Sequence, residues 1–301
     1  MLSELRTSWR IEGDKVKRLN GIDLRDFGKT ARKITIVGLG GEGVLRTFGQ
    51  TLRAREVIRE AVEQGISYFD SARVYAGSEE YYGTVWTRNP ELRDRIFQAS
   101  KSASRDREGA LADLDQTLAT MGIQNLDLWQ IHDVRTEEDL RAIEGPGGAL
   151  EAFVTARASG KTRFIGVTGH HDPYILAKAV RDWPVDAVMM PVNPVEEILG
   201  GFLDKTIPVA QSKGIAVIGM KVLGASHYCH PQLGVSPEIL IRYALSQPIT
   251  VAIVGCATAH EVQTLAGAGR DFQPLSQEEQ REVLERFRPY ARRLAYYRGV
   301  I

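Results

Sequence analysis

The chain has 301 residues, with 38 basic and 38 acidic side chains, a formal net charge of zero and a pI near 7. A balanced chain carries no overall field to hold it on nucleic acid or on an anionic membrane, so neither is expected as a partner. At 43% hydrophobic and 25% charged residues it can bury a sizeable core, which excludes an intrinsically disordered protein.

The opening residues, MLSELRTSWRIEGDK, mix charges of both signs and have no apolar core, unlike a secretory signal. No apolar run approaches the ~18 residues that span a bilayer. A soluble cytoplasmic protein with a small-molecule or protein partner is therefore expected. Residues 1–33 read as a strand-poor or hairpin-like preface. From there, short apolar runs alternate with longer amphipathic ones. The strand-like runs begin at Ile34 (ITIVG), Ser67 (SYFD), Arg95 (RIFQAS) and Leu126 (LDLWQIH). They continue at Arg163 (RFIGVT), Asp186 (DAVMM), Ile215 (IAVIGMK) and Val251 (VAIVG). Such near-continuous apolar strands suit a parallel sheet covered by helices. Helical patterns cover Arg53–Glu63, Glu108–Met121, Pro173–Arg181 and Pro237–Ser246. The strand ends recur about every 31 residues, the length of a βαβ crossover. Eight even units without a composition shift predict one α/β domain over residues 1–301, a single (β/α)8 TIM barrel. Ser276-x-x-Glu279 is a capping box that opens an extra C-terminal helix, which Pro289 should stop or kink. The basic and aromatic stretch Arg292, Arg293, Tyr296, Tyr297 and Arg298 reads as a solvated helix face.

Gly38-x-Gly40-x-x-Gly43 follows a strand and has the outline of a dinucleotide-binding fingerprint. Gly49, Gln50 and Thr51 separate it from the first helical pattern, so no helix N-terminus meets the glycines, and Asp70 lies beyond the ~20 residues that fingerprint requires. A glycine-lined loop at the barrel mouth is the better reading.

Active sites of such barrels gather at the C-terminal ends of the strands. Three consecutive strands end in Asp70, Lys101 and His132, and Tyr75 lies five residues past Asp70. A lysine beside a tyrosine hydroxyl lowers the phenol's pKa from ~10. An aspartate keeps that lysine charged, and a histidine can donate to a carbonyl oxygen. Alone, each residue has a structural explanation: a helix cap, a packed ring, a loop histidine. Together they suit proton transfer to an oxygen gaining negative charge.

The segment Phe69-Asp70-Ser71-Ala72-Arg73-Val74-Tyr75, with Ser78-Glu79 and Gly83 after it, resembles the hallmark of the aldo-keto reductase superfamily. Lys101, Gln130-Ile131-His132, Arg163–Thr168 and Leu39-Gly40-Gly41 are similar to its third, fourth, fifth and first strands. The resemblance runs from about residue 20 to about residue 290. It implies metal-free hydride transfer between NADP or NAD and a small-molecule aldehyde or ketone, with Tyr75 as general acid, Lys101 and Asp70 tuning it, and His132 orienting the carbonyl. The hydride chemistry is the cofactor's.

Several positions depart from the family pattern. Thr168-Gly169 stands where Ser-Asn usually holds the nicotinamide amide, Met189 where a glutamine is common, and Met220 where an aromatic stacks on the ring. His170 or Asn193 could replace the lost amide contact. The resemblance places Gly40 and the loop Lys221-Val222-Leu223-Gly224-Ala225 at the cofactor. Gly255-Cys256-Ala257-Thr258 offers N–H groups at a helix N-terminus, or else a plain helix cap at Thr258. Relatives that select NADP carry Lys and Arg in that second loop; here Gly255 and Glu261 stand there, and Glu261 suits a ribose hydroxyl instead. His170-His171-Asp172 and His227-Tyr228-Cys229-His230 invite a metal, and with it a metal-dependent hydrolase. Adjacent histidines diverge, however, so no metal is expected. The two cysteines, Cys229 and Cys256, exclude a disulfide framework and a four-cysteine zinc or iron–sulfur site. The alternative function is a nucleotide-binding regulatory or sensor barrel with little turnover. Substrate identity and oligomeric state are not legible in the sequence.

Overall fold

A computed structural model describes residues 17–299. The chain opens on β1 (Arg18–Leu19), β2 (Ile22–Asp26) and β3 (Lys33–Thr35), an antiparallel sheet in the order β1-β2-β3. Asn20 and Gly21, at φ 46° and 84°, make the first turn; Asn-Gly suits the two-residue hairpin loop, which needs positive φ at both positions. The barrel strands follow in chain order: β4 (Val37–Gly43), β5 (Tyr68–Phe69), β6 (Phe97–Ser102) and β7 (Leu126–Ile131). Then come β8 (Thr162–Thr168), β9 (Ala187–Pro191), β10 (Ala216–Met220) and β11 (Val251–Cys256). Each is parallel to the next, and β11 closes on β4 through Val254 opposite Leu39. The expected eight-stranded α/β barrel is the observed fold.

The first barrel strand departs most from the sequence reading: the glycine run Gly38–Gly43, expected as a loop at the barrel mouth, lies within β4. The run ITIVG, read as a single strand, is two: Ile34 and Thr35 belong to β3, and the barrel strand begins at Val37. Ile34 pairs with Arg25 and, with Phe27, joins the barrel interior. There they meet Tyr68, Phe97, Leu128, Met189, Ile218 and Ile253. The Phe27 and Phe97 rings lie 4.7 Å apart, and Tyr68 stacks on Phe97 at 5.5 Å. The hairpin thus plugs the end where the strands begin, and the interior is filled rather than open.

The capping box opens the helix Gln277–Phe287: Glu279 N donates to Ser276 Oγ at 3.1 Å and Ser276 N to Glu279 Oε2 at 2.7 Å. Pro289 sits in a tight turn, Arg288–Tyr290, between this helix and the short helix Ala291–Leu294, so it kinks the segment as its missing N–H requires. The stretch beyond departs from the solvated face expected of it. Arg292, Arg293 and Tyr296 are exposed, but the chain leaves the helix after Leu294 and buries Tyr297 to 6% exposure. No helix among the described residues is long and apolar enough to cross a membrane.

Candidate active site

Asp70 follows β5 directly and Lys101 lies on β6, so the sheet register brings the two side chains together. Lys101 Nζ donates to Asp70 Oδ2 and to the Ser71 carbonyl, both at 2.7 Å, and both side chains are buried. Burial lowers the Lys101 pKa, but the Asp70 carboxylate and Tyr75 together more than offset it, so the pKa is raised and the ammonium stays charged. Burial likewise pushes the Asp70 carboxyl up, and the lysine charge only partly restores it.

The loop carrying Tyr75 is braced on every side. Tyr75 N donates to Ala72 O, Ser78 N to Tyr75 O, Arg73 N to Lys101 O, and Gly77 N to Thr47 O. Arg73 also pairs with Glu79 at 3.0 Å, and buried Glu79 accepts from Ser100 Oγ and Thr117 Oγ1. The half-buried Tyr75 ring therefore stands with Lys101 Nζ 4.8 Å from its centroid and the His132 ring 5.5 Å away, edge to face. Here the sequence expectation is corrected in direction. Burial raises the Tyr75 pKa by more than Lys101 lowers it, so the phenol stays protonated at neutral pH.

His132 just past β7 is held through its backbone: Arg105 donates to His132 O and Asp133 O, both at 2.8 Å, and to Asp139. Asp133 N donates to Thr168 Oγ1 at 2.8 Å. Burial, and then the Lys101 charge, push the His132 imidazole down to about 3. It is neutral, and its Nδ1 is buried without a partner. Neutral imidazole can donate a hydrogen bond but is far too weak an acid to protonate a carbonyl.

On the side where the resemblance puts the nicotinamide, the residues are more committed than the sequence suggests. Thr168 braces the His132 loop, its carbonyl accepting from Val134 N at 2.9 Å, and Gly169 N donates to Met189 O at 3.1 Å. Met189 itself is buried among the barrel-interior side chains, whereas Met220 at the end of β10 is half-buried. Asn193 caps the helix Pro194–Leu199 and donates to Lys221 O at 3.1 Å and Tyr297 OH at 3.0 Å. His170 Nδ1 lies 3.0 Å from Tyr297 O, and its Nε2 3.2 Å from Asp133 Oδ1. Both candidates for the amide contact are thus tied to the C-terminal segment. Tyr297 also donates to Glu196 at 2.7 Å and lies under Lys221 Nζ at 5.1 Å.

The phosphate-side loops have packing duties too. In Lys221-Val222-Leu223-Gly224, Val222 is buried and Leu223 packs on the core, while the left-handed Gly224 (φ 53°) leaves room for Tyr228. A Cβ on Gly40 would stand 2.9 Å from Gly255 N, and one on Gly255 2.6 Å from Glu42 Cβ, so these glycines let β4 and β11 touch. At the helix Ala259–Arg270, Thr258 Oγ1 accepts from Glu261 N at 3.3 Å, and Glu261 Oε2 accepts from Ala257 N at 2.7 Å. Cys256 is buried. The plain cap is therefore formed, with Glu261 engaged in it.

A nicotinamide dinucleotide needs an apolar wall for its ring and a cation for its phosphates, which half-buried Met220 and Lys221 fit, and a carbonyl beside it needs a hydrogen-bond donor, which the unpartnered His132 imidazole fits. Among the described residues Lys221 has no carboxylate within ion-pair distance, and burial lowers its pKa while Glu42 and Asp133 hold it up. No group of three or more His, Cys, Asp or Glu side chains that could hold a metal is present among the described residues. Sequence reasoning missed Arg105, Asp133, Tyr297 and Arg46. Arg46 was visible as a basic residue four past Glu42, and the structure sets its guanidinium 4.9 Å from the Tyr75 ring centroid.

A family model described as the aldo/keto reductase family matches residues 38–230. L-galactose dehydrogenase of Arabidopsis thaliana is 28% identical over 221 residues, covering 67% of this chain and 66% of that protein. L-glyceraldehyde 3-phosphate reductase of Escherichia coli K12 is 23% identical over 229 residues, covering 69% of this chain and 63% of that protein. The chain thus spans just under two thirds of these relatives' length. Among solved structures, an aldo-keto reductase from Bacillus halodurans in its holo form superposes with a TM-score of 0.74 at 17% identity, covering 88% of this chain and 96% of that one. An aldo-keto reductase from Klebsiella pneumoniae in complex with NADPH gives 0.71 at 20% identity, covering 89% and 95%.

Proposed function

The chain belongs to the aldo/keto reductase family, and on that premise we propose that it is an NAD(P)H-dependent oxidoreductase that reduces an aldehyde or ketone to the alcohol, with Tyr75 as general acid. One observation carries the reading: Lys101, paired to Asp70 at 2.7 Å, stands 4.8 Å from the centroid of the Tyr75 ring, which the His132 ring meets edge-on at 5.5 Å. The names of the curated relatives, a dehydrogenase and a reductase, support the same class of chemistry.

When bound, the nicotinamide supplies the hydride. The chain's own residues prepare the oxygen that receives negative charge. His132 offers a hydrogen bond to the carbonyl oxygen without competing as an acid. Tyr75 gives that oxygen its hydroxyl proton, and the nearby ammonium stabilises the phenolate left behind. Asp70 holds the ammonium in place, and Lys221 offers a cation to the phosphates. In alcohol oxidation Tyr75 takes the proton back.

The commitment of His170 and Asn193 to Tyr297 favours a second reading, a barrel that binds nucleotide but turns over little. Turnover separates the two. With a panel of aldehydes and ketones and either reduced cofactor, the protein should oxidise NAD(P)H, and Tyr75→Phe should lose ~10²–10⁴ in rate while still binding cofactor. A variant retaining more than about a tenth of the wild-type rate overturns the assignment of Tyr75.

A further inference from the structure

We propose that Arg46 is a positioning residue for the proton transfer, a second cation that acts on the Tyr75 ring from the solvent side while Lys101 acts from the buried side. The inference rests on the reading of Tyr75 as the general acid.

The geometry begins in β4. At Gly43 the backbone turns with φ 71°, and a Cβ there would stand 2.5 Å from the Cys256 carbonyl oxygen, so only glycine allows the close approach to β11. The chain then makes one tight turn, Val44–Arg46, fixed by the buried side chains of Val44 and Leu45. That turn carries Arg46 back across the strand end. Its Nη1 donates to Glu42 Oε1 at 2.6 Å, and its guanidinium carbon lies over the Tyr75 ring, 4.9 Å from the centroid. The Arg46 side chain is 48% exposed and the Lys101 side chain 1%. The phenol is therefore flanked by one cation in the protein interior and one at the mouth.

A cation over an aromatic face is attracted to it, and more strongly once the ring becomes a phenolate. Arg46 therefore orients the ring before reaction and lowers the cost of the charge that remains on it after the proton leaves. Every charged or titratable group facing Tyr75 enters this balance. Asp70 and Glu42 disfavour the phenolate, Lys101 and Arg46 favour it, and the neutral His132 ring meets the phenol edge-on. Tyr68, also close enough to interact, stays protonated because burial raises its pKa. Glu42 tempers Arg46 and fixes its position at once. Removing either charge should shift the balance in opposite directions.

The sign follows from the two directions of the reaction. Reduction needs protonated Tyr75 and fails as pH rises through its pKa; oxidation needs the phenolate and fails as pH falls through it. Arg46→Met removes a charge that favours the phenolate, so both limbs should move to higher pH. Glu42→Gln removes a charge that disfavours it, and the amide can still accept from Arg46, so both limbs should move to lower pH.

The test uses the full chain with 4-nitrobenzaldehyde and saturating reduced cofactor, with kcat and KM followed against pH. Arg46→Met is expected to raise the alkaline limb by about half a pH unit and to lower kcat at pH 7 about tenfold, with KM little changed. Arg46→Lys should return the limb toward its wild-type position, because the charge is kept, without restoring the full rate, because the guanidinium contact over the ring is lost. A limb that coincides in wild type and Arg46→Met, or that appears in neither, overturns the proposal even if kcat falls. Tyr75→Phe is measured alongside: if it retains activity, the reading of Tyr75 itself fails, and if it is inactive while the limbs coincide, only the role of Arg46 fails.

Discussion

Gly41 makes room for Tyr75: a Cβ on Gly41 would stand 2.7 Å from both Cδ2 and Cε2 of the tyrosine ring. Carbon atoms in contact sit ~3.5–4.0 Å apart, so the ring lies against bare backbone at the end of β4 and has no space to yield to a methyl group without leaving Lys101 and His132. Gly41→Ala should therefore preserve the fold, as seen by far-UV circular dichroism, and lower kcat by ~10²-fold through misplacement of the phenol. Activity within about twofold of wild type would show that the ring can shift freely and that its contact with β4 does not set the catalytic geometry.

The buried ion pair separates two roles. Lys101→Met leaves the Asp70 carboxylate buried without its cation, which typically costs ~3–5 kcal/mol of stability, and takes from Tyr75 the charge that stabilises its phenolate. Both urea unfolding and kcat should register the change, the latter by at least ~10². Asp70→Asn keeps an oxygen that can accept from Lys101 Nζ, and the Ser71 carbonyl at 2.7 Å remains. Its loss of activity should be smaller. The charge balance also gives a pH signature: without Asp70, burial is free to lower the Lys101 pKa. The Asp70→Asn activity should therefore decline at a lower pH than that of wild type. If Asp70→Asn proves the more damaging of the two substitutions, the division of labour between anchor and tuning charge is reversed.

The barrel and the four central residues were legible because both have local signals. Apolar strands recur at the βαβ interval, and Asp70, Lys101 and His132 each stand at or just past the end of such a strand. Direction of effect was less legible. The sequence shows that Lys101 is near Tyr75 but not how deeply the phenol is buried, and burial decides the sign of its shift. Least legible was Tyr297. Its position after a basic helix reads as surface, because the partners that bury it, Asn193, Glu196 and Tyr228, lie 69 to 104 residues away in the chain. The break at Ile36, where one apolar run serves two strands, has a similar cause. Whether Ile34 belongs to the floor or the wall of the barrel depends on Phe27 and Phe97, not on its neighbours.

The resemblance puts the adenosine end of the cofactor at the start of the helix Ala259–Arg270, so the expected cofactor preference follows from the groups there. Discrimination in favour of NADP needs a cation at the 2′-phosphate. The loop Gly255–Thr258 and the first turn of the helix contain no Lys or Arg, and His260 is exposed. Arg270, the remaining basic residue of this helix, stands at its other end, about 18 Å along the axis at 1.5 Å per residue. There it donates to Asn20 O at 3.1 Å and Gln64 O at 3.0 Å, which ties it to the hairpin side of the barrel. Glu261 is engaged with Ala257 N, so its carboxylate would repel a phosphate and can reach a ribose hydroxyl only by releasing the cap. The two cofactors should therefore bind within about tenfold of each other, or ~1.4 kcal/mol. Titration of intrinsic tryptophan fluorescence with NADPH and NADH measures both affinities. Glu261→Arg, which supplies the missing cation at the helix start, should shift the ratio toward NADPH. A wild-type preference for NADPH above roughly a hundredfold, ~2.7 kcal/mol, would mean that a cation from elsewhere reaches the 2′-phosphate, and this account of the loop would fail.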